Sequence, residues 1–335
     1  MFKLSGERWV FPSVNTEVID MAAQSTAAPT ATQPLSRQQI SDFSRDGYLV
    51  IETPLIPPAE IKWCRDTIMR LLEGGAGRCQ GRNLDLAQRE GGGETISPSI
   101  LQPSMYAREL RALSYRKTAL AIARQLLGPK AEFAGDHAIF KPRFRGHPTP
   151  WHQDEAFREP GFEFDEISIW IALTDSTTEN GAMMYVPGSH LLGVLPHRLH
   201  GGAAKANTIE CCGEFDGAKG VVHPIRAGAM IIHHGRTIHG ALGNKTGSSR
   251  LAYSLQYTTP VKLRKTLRDA PWLDDLRSSE RRERKVYMLK GGALSELLRI
   301  LRSDRNSHRH FFSYFWRRRV NELRRRWHRK SPRNP

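Results

Sequence analysis

The rhythm of apolar positions changes after Gly128-Pro129. Before that point apolar residues recur at helical spacing. Ser36-Arg-Gln-Gln39 has the S-x-x-Q form of a capping box, and Ile40 and Phe43 follow before Gly47. Tyr48–Ile51 reads as a short strand. Pro57-Pro58 opens a second helix, with Ile61, Cys64, Ile68 and Leu71 or Leu72 on one face. The Gly-rich stretch 74–104 predicts a long irregular loop. Leu110, Leu113, Ala119, Ile122 and Leu126 predict one helix over 107–127. Beyond Gly128 the runs are short and alternating or apolar throughout, at 133–140, 167–173, 183–186, 221–225, 230–233 and 251–257. Gly, Pro, Asn and Ser separate them. That texture predicts an antiparallel all-β sandwich or barrel behind a helical lead-in.

Charge divides the chain differently. The net charge is +16, but residues 1–260 hold 27 Lys and Arg against 26 Asp and Glu, and residues 261–335 hold 23 against 8. The body is electrically ordinary and the tail is strongly basic. Three parts follow: a disordered lead-in over 1–35, rich in small polar residues; a main domain over 36–260; and a basic helical extension over 261–335. Four scattered cysteines (Cys64, Cys79, Cys211 and Cys212) make no disulfide framework and no zinc-like C-x-x-C pair. Reduced thiols, no signal-peptide h-region and no apolar run of membrane-spanning length predict a cytoplasmic protein. In the tail, Phe312, Trp316, Val320, Leu323 and Trp327 fall near one helical face with arginines around the others. Such a helix can lie on an anionic membrane surface or pack on the body, and specific nucleic-acid recognition is not expected.

The chemistry starts at Trp151-His152-Gln153-Asp154. In extended chain, residues two apart point to one side, so His152 and Asp154 can present an imidazole and a carboxylate together. A third ligand has to come from a distant segment. His239, in Ile238-His-Gly240 near a late strand pair, is placed for it. Its position relative to Gly240 and Arg250 favours it over His233 and His234. Two histidines and one carboxylate leave coordination positions free, the arrangement used for oxygen activation at non-haem iron(II). Eleven residues past His239, Arg250 opens an apolar strand. Its guanidinium can grip the far end of a dicarboxylate by two charge-assisted hydrogen bonds.

Pro150-Trp-His-Gln-Asp154, Ile169-Trp-Ile-Ala-Leu173, Glu179-Asn-Gly181, Val186-Pro-Gly-Ser-His190, Ile238-His-Gly240 and Arg250 occur in an order and spacing that resemble the phytanoyl-CoA dioxygenase family. The resemblance covers 36–260 and is firmest over 137–257. It implies a mainly β fold, a double-stranded β-helix (jelly-roll, cupin-like) core with flanking helices. It also implies iron(II) at His152, Asp154 and His239, with 2-oxoglutarate and O2 as co-substrates and Arg250 as the anchor of the former. Trp170 matches a co-substrate contact, as does His137 from the strand preceding the H-x-D. Related halogenases lack the carboxylate ligand, and Asp154 is present here, so the expected reaction is hydroxylation of an unactivated C–H bond in a small or lipid-like molecule. Desaturation or ring closure on the same iron is the alternative, and an inactive barrel acting as a membrane-associated binding protein is another.

Overall fold

The computed structural model describes residues 34–78, 82–86, 97–200 and 208–276. Residues 1–33 of the lead-in, most of the basic tail, part of the expected loop 74–104 and residues 201–207 lie outside these residues.

Helix α1 (Arg37–Asp46) starts on the expected capping box: Ser36 Oγ accepts from the Gln39 N–H, and Gln39 Oε1 accepts from the Ser36 N–H. It ends at Gly47, whose φ of 78° is open to glycine at little cost. A Cβ there would also stand 2.4 Å from the His190 ring. Helix α2 (Pro58–Glu73) follows, with Pro58 at its first position. The helix expected over 107–127 is interrupted. A 3-10 turn spans Arg108–Arg111, and α3 runs only over Ser114–Leu127. The reason is tertiary: the Glu60 carboxylate of α2 accepts from the N–H groups of Ser114 and Tyr115, so a side chain from another helix caps α3.

The strands are β1 (Tyr48–Ile51), β2 (Asn83–Asp85), β3 (Pro98–Leu101), β4 (Glu132–Lys141), β5 (Thr149–His152), β6 (Phe162–Glu163), β7 (Glu166–Ala172), β8 (Met183–Tyr185), β9 (His197–Leu199), β10 (Ile209–Cys211), β11 (Val221–His223), β12 (Met230–His234), β13 (His239–Ala241), β14 (Arg250–Thr258) and β15 (Lys262–Leu263). An antiparallel sheet of seven has the order β1-β12-β7-β14-β4-β3-β2, and a sheet of four the order β11-β8-β13-β5. The expected loop 74–104 therefore contains two strands, which become ordered by adding onto β4 (Ser99 opposite Ile139).

Alternation gives the large sheet two different faces. Ile167, Ile169, Ile171, Met230, Ile232, Leu251, Tyr253, Leu255 and Tyr257 join Ile61, Ile68, Tyr115 and Ile122 of the helices in one apolar core. Trp170, Ala172, Ile231 and Ala252 turn the other way and pack against Met183, Tyr185 and Ala241 of the small sheet. The result is a mainly β protein with a jelly-roll core and helices on one outer face. All seven positions of β7 are buried because both of its faces are covered. The body continues past residue 260. β15 pairs with β6, and Trp272, Leu273 and Leu276 pack around Ala156.

Candidate active site

The site lies between the two sheets. His152 closes β5, His239 opens β13, and the two are direct partners in the antiparallel pair. Their rings are 4.2 Å apart, centroid to centroid. Each places its Nδ1 against the carbonyl of the residue two before it, Pro150 at 2.8 Å and Thr237 at 2.9 Å. A carbonyl only accepts, so Nδ1 carries the proton and Nε2 offers a bare lone pair. Burial lowers the pKa of both imidazoles, which keeps them in the neutral, ligating form. Asp154 begins the turn after β5, and its Oδ1 lies 3.9 Å from His152 Nε2 and 3.7 Å from His239 Nε2. One donor atom from each of the three residues falls within 4.8 Å of the others. Burial pushes the Asp154 carboxyl up, but a hydrogen bond from His233 and the surrounding imidazoles outweigh it and hold the group well below the usual carboxylate range.

The tight turn after His152 is pinned from behind. The Gln153 side chain, fully buried, donates to the carbonyls of Gly193 (2.7 Å) and Arg236 (2.6 Å) and accepts from the Leu195 N–H (2.8 Å). Glu155, also fully buried, lies within 3.1 Å of Arg236 and of Arg264 and 3.6 Å from Arg268. Arg268 and Trp272 further donate to the carbonyls of Glu155 and Ala156. The segment after the barrel thus buttresses the loop that carries Asp154. Sequence patterns carried no sign of this, because the partners lie more than a hundred residues away.

Arg250, the first residue of β14, is 1% exposed. Its Nε and Nη1 are buried with no hydrogen-bond partner, and so is Trp170 Nε1. The guanidinium carbon lies 5.3 Å from the Trp170 ring centroid. Burial lowers the Arg250 pKa to about 10. Opposite it on β4, Lys141 is equally buried and donates to the His147 carbonyl and to Thr149 Oγ1. Burial first, and then Arg250, lower the Lys141 pKa to about 6. His137 is in the same inward-facing row as Ser254 and Trp170 and meets Ser99 Oγ through its Nε2. Burial brings its pKa down to about 4.

Of the neighbouring histidines, His233 faces Asp154 with Nε2 3.2 Å from Oδ2, while His234 points away towards Asp165 at 3.7 Å. His190 braces α1 through the Ser44 carbonyl.

Two neutral imidazoles and an ionised carboxylate suit iron(II), and an unpaired guanidinium on the inner wall suits the free end of a keto diacid. Together with a jelly-roll core they define a non-haem iron, 2-oxoglutarate-dependent dioxygenase. Comparison with known proteins makes the second step. The family model for phytanoyl-CoA dioxygenase (PhyH) matches residues 43–252, and the chain belongs to that family. Ectoine dioxygenase of Halomonas elongata is 27% identical over 259 residues, 72% of this chain and 76% of that protein. The crystal structure of EvdO2 from Micromonospora carbonacea var. aurantiaca complexed with 2-oxoglutarate has a TM-score of 0.62 at 27% identity, covering 72% of this chain and 97% of that one. The 2-oxoglutarate-dependent carbocyclase SnoK from nogalamycin biosynthesis has a TM-score of 0.53 at 26% identity, covering 73% and 92%.

Proposed function

We propose that the chain hydroxylates an unactivated C–H bond of a small molecule, with iron(II) held by His152, Asp154 and His239 and 2-oxoglutarate anchored by Arg250. The observation that carries this reading is the condition of Arg250. A guanidinium at 1% exposure with two unpaired nitrogens is costly until an anion completes it. Trp170 lies beside that guanidinium and walls the co-substrate, and His137, in the row with Ser254, is assigned as a further contact. Bound iron supplies the oxidation of the C–H bond, coupled to decarboxylation of 2-oxoglutarate. The chain's own residues orient and enclose. The bare Nε2 atoms of His152 and His239 fix the donor geometry, the Gln153 and Glu155 bonds hold the turn, and the apolar walls of Trp170, Ile231 and Ala252 exclude water. Phe157, 36% exposed and edge-on to His152 at 6.2 Å, supplies an apolar wall for substrate.

The presence of Asp154 favours hydroxylation over halogenation. Ring closure is the second reading, supported by the likeness to a protein named a carbocyclase. Succinate release with iron(II), ascorbate, 2-oxoglutarate and a panel of small molecules tests the proposal, and the product mass separates hydroxylation from desaturation or cyclisation. Normal turnover in His239→Ala would defeat the assignment. For the basic extension 261–335 we propose contact with an anionic membrane surface, on the strength of its charge. Residues 277–335 lie outside the described residues, among which no helix is long and apolar enough to cross a membrane.

A further inference from the structure

The two oxygens of Asp154 have different surroundings. Oδ1 faces the bare Nε2 atoms of His152 and His239. Oδ2 accepts from Ser168 Oγ at 2.7 Å and from His233 Nε2 at 3.2 Å. Ser168 and His233 are direct partners on β7 and β12, so the large sheet reaches across the interior with two side chains from one place. His233 is 3% exposed and is itself held, since its Nδ1 lies 3.3 Å from the Tyr185 hydroxyl. Proton placement follows from the partners. A carboxylate only accepts, so Nε2 of His233 carries the proton, and in the neutral ring Nδ1 accepts from the Tyr185 hydroxyl. With its Nε2 lone pair used by that proton, His233 is no fourth ligand, although its ring lies 4.3 Å from that of His239. Tyr185 is locked in turn, stacked on Tyr48 at 4.9 Å, and Tyr48 meets His223 at 3.1 Å.

We propose that His233, oriented by Tyr185, and Ser168 are positioning residues that make Asp154 a one-oxygen ligand through Oδ1. The inference rests on reading His152, Asp154 and His239 as the metal site. Its consequence is a count of positions. Two imidazoles and one carboxylate oxygen would fill three of the six positions open to such an ion. Two remain for a chelating keto acid and one for a further reactant. A carboxylate free to turn and bind by both oxygens would take one of those three. Tying Oδ2 to two donors forbids that rotation and keeps the site open.

Binding of Co(II) and then of 2-oxoglutarate to the full-length protein, followed by calorimetry and by the visible spectrum of the bound Co(II), tests this without turnover. His233→Phe keeps a ring and removes the donor, and Ser168→Ala removes a single hydroxyl and keeps the fold in reach. Each is expected to weaken Co(II) binding about 10- to 100-fold, the usual effect of losing a partner of a metal ligand. Each should also change the Co(II) spectrum and weaken subsequent 2-oxoglutarate binding. His233→Gln, whose amide can donate to Oδ2, should recover much of the loss, which a purely packing role would not. Parent-like affinity and spectrum in both His233→Phe and Ser168→Ala, with Asp154→Ala impaired, overturn the inference alone. Parent-like Co(II) binding in Asp154→Ala removes the ligand assignment beneath it.

Discussion

The two faces of the seven-stranded sheet are made by alternate residues of the same strands, yet they are built for different ends. On β14 the outward positions are Leu251, Tyr253, Leu255 and Tyr257, and the inward ones Arg250, Ala252, Ser254 and Gln256. On β7 the outward Ile167, Ile169 and Ile171 alternate with the inward Glu166, Ser168, Trp170 and Ala172. The outer face is an apolar surface covered by helices, and its burial drives folding. The inner face carries a guanidinium, hydroxyls, an indole and, on β12, His233. These groups lower stability unless something completes them. One sheet thus stabilises the protein with one face and sacrifices some of that stability with the other, where the chemistry is.

Substitutions on the two faces should therefore fail differently. The largest effect is expected at the inner site. Asp154→Ala should reduce succinate formation to background, measured with saturating iron(II) and 2-oxoglutarate. Arg250→Met comes next. Losing a buried charge partner costs roughly 3–5 kcal/mol, so the KM for 2-oxoglutarate should rise on the order of 100-fold or more. The protein without co-substrate should become more stable, because an unpaired buried charge has been removed. Co-substrate titration and urea unfolding read the two halves, and an unchanged KM would break the contrast.

On the outer face, Leu255→Ala should cost about 2–5 kcal/mol of stability through the cavity it leaves. Its KM for 2-oxoglutarate should not move, as checked by denaturant unfolding and initial rates. The smallest effect is a pH dependence of the inner face. His137 titrates near 4 when folded, against an ordinary 6.5. Between those values the unfolded chain takes up the proton and the folded one does not. The His137 contribution is therefore intact above about pH 6.5 and lost as pH falls towards 4. Stability should drop by about 2 kcal/mol between pH 7 and pH 5 from this group alone. His137→Gln should flatten that part of the profile, and an identical slope in the variant would remove His137 as its source.

Legibility in the sequence followed the range of the interaction. The capping box at Ser36, the stop at Gly47 and the alternation of β7, β12 and β14 are local patterns that burial requires of any such strand or helix, so they could be read from the residues. The cluster of His152, Asp154 and His239 and the buried Arg250 could be picked out because residues of their chemistry have few substitutes and their spacing resembles a family pattern. The gap at 112–113 was not, since α3 begins where Glu60 of another helix caps it. Nor were β2 and β3, which exist only against β4.

The amino-acid sequence alone determined the class of fold, its helices-then-strands order and which side chains are candidates for the chemistry, because periodicity and donor type are properties of short segments. Only the tertiary structure decided that Arg250 is left unpaired, that Oδ2 of Asp154 is tied by His233 and Ser168, and that residues 262–276 hold the loop behind the site. Those facts depend on hydrogen bonds between segments far apart in the chain, and it is chain folding that brings their partners together.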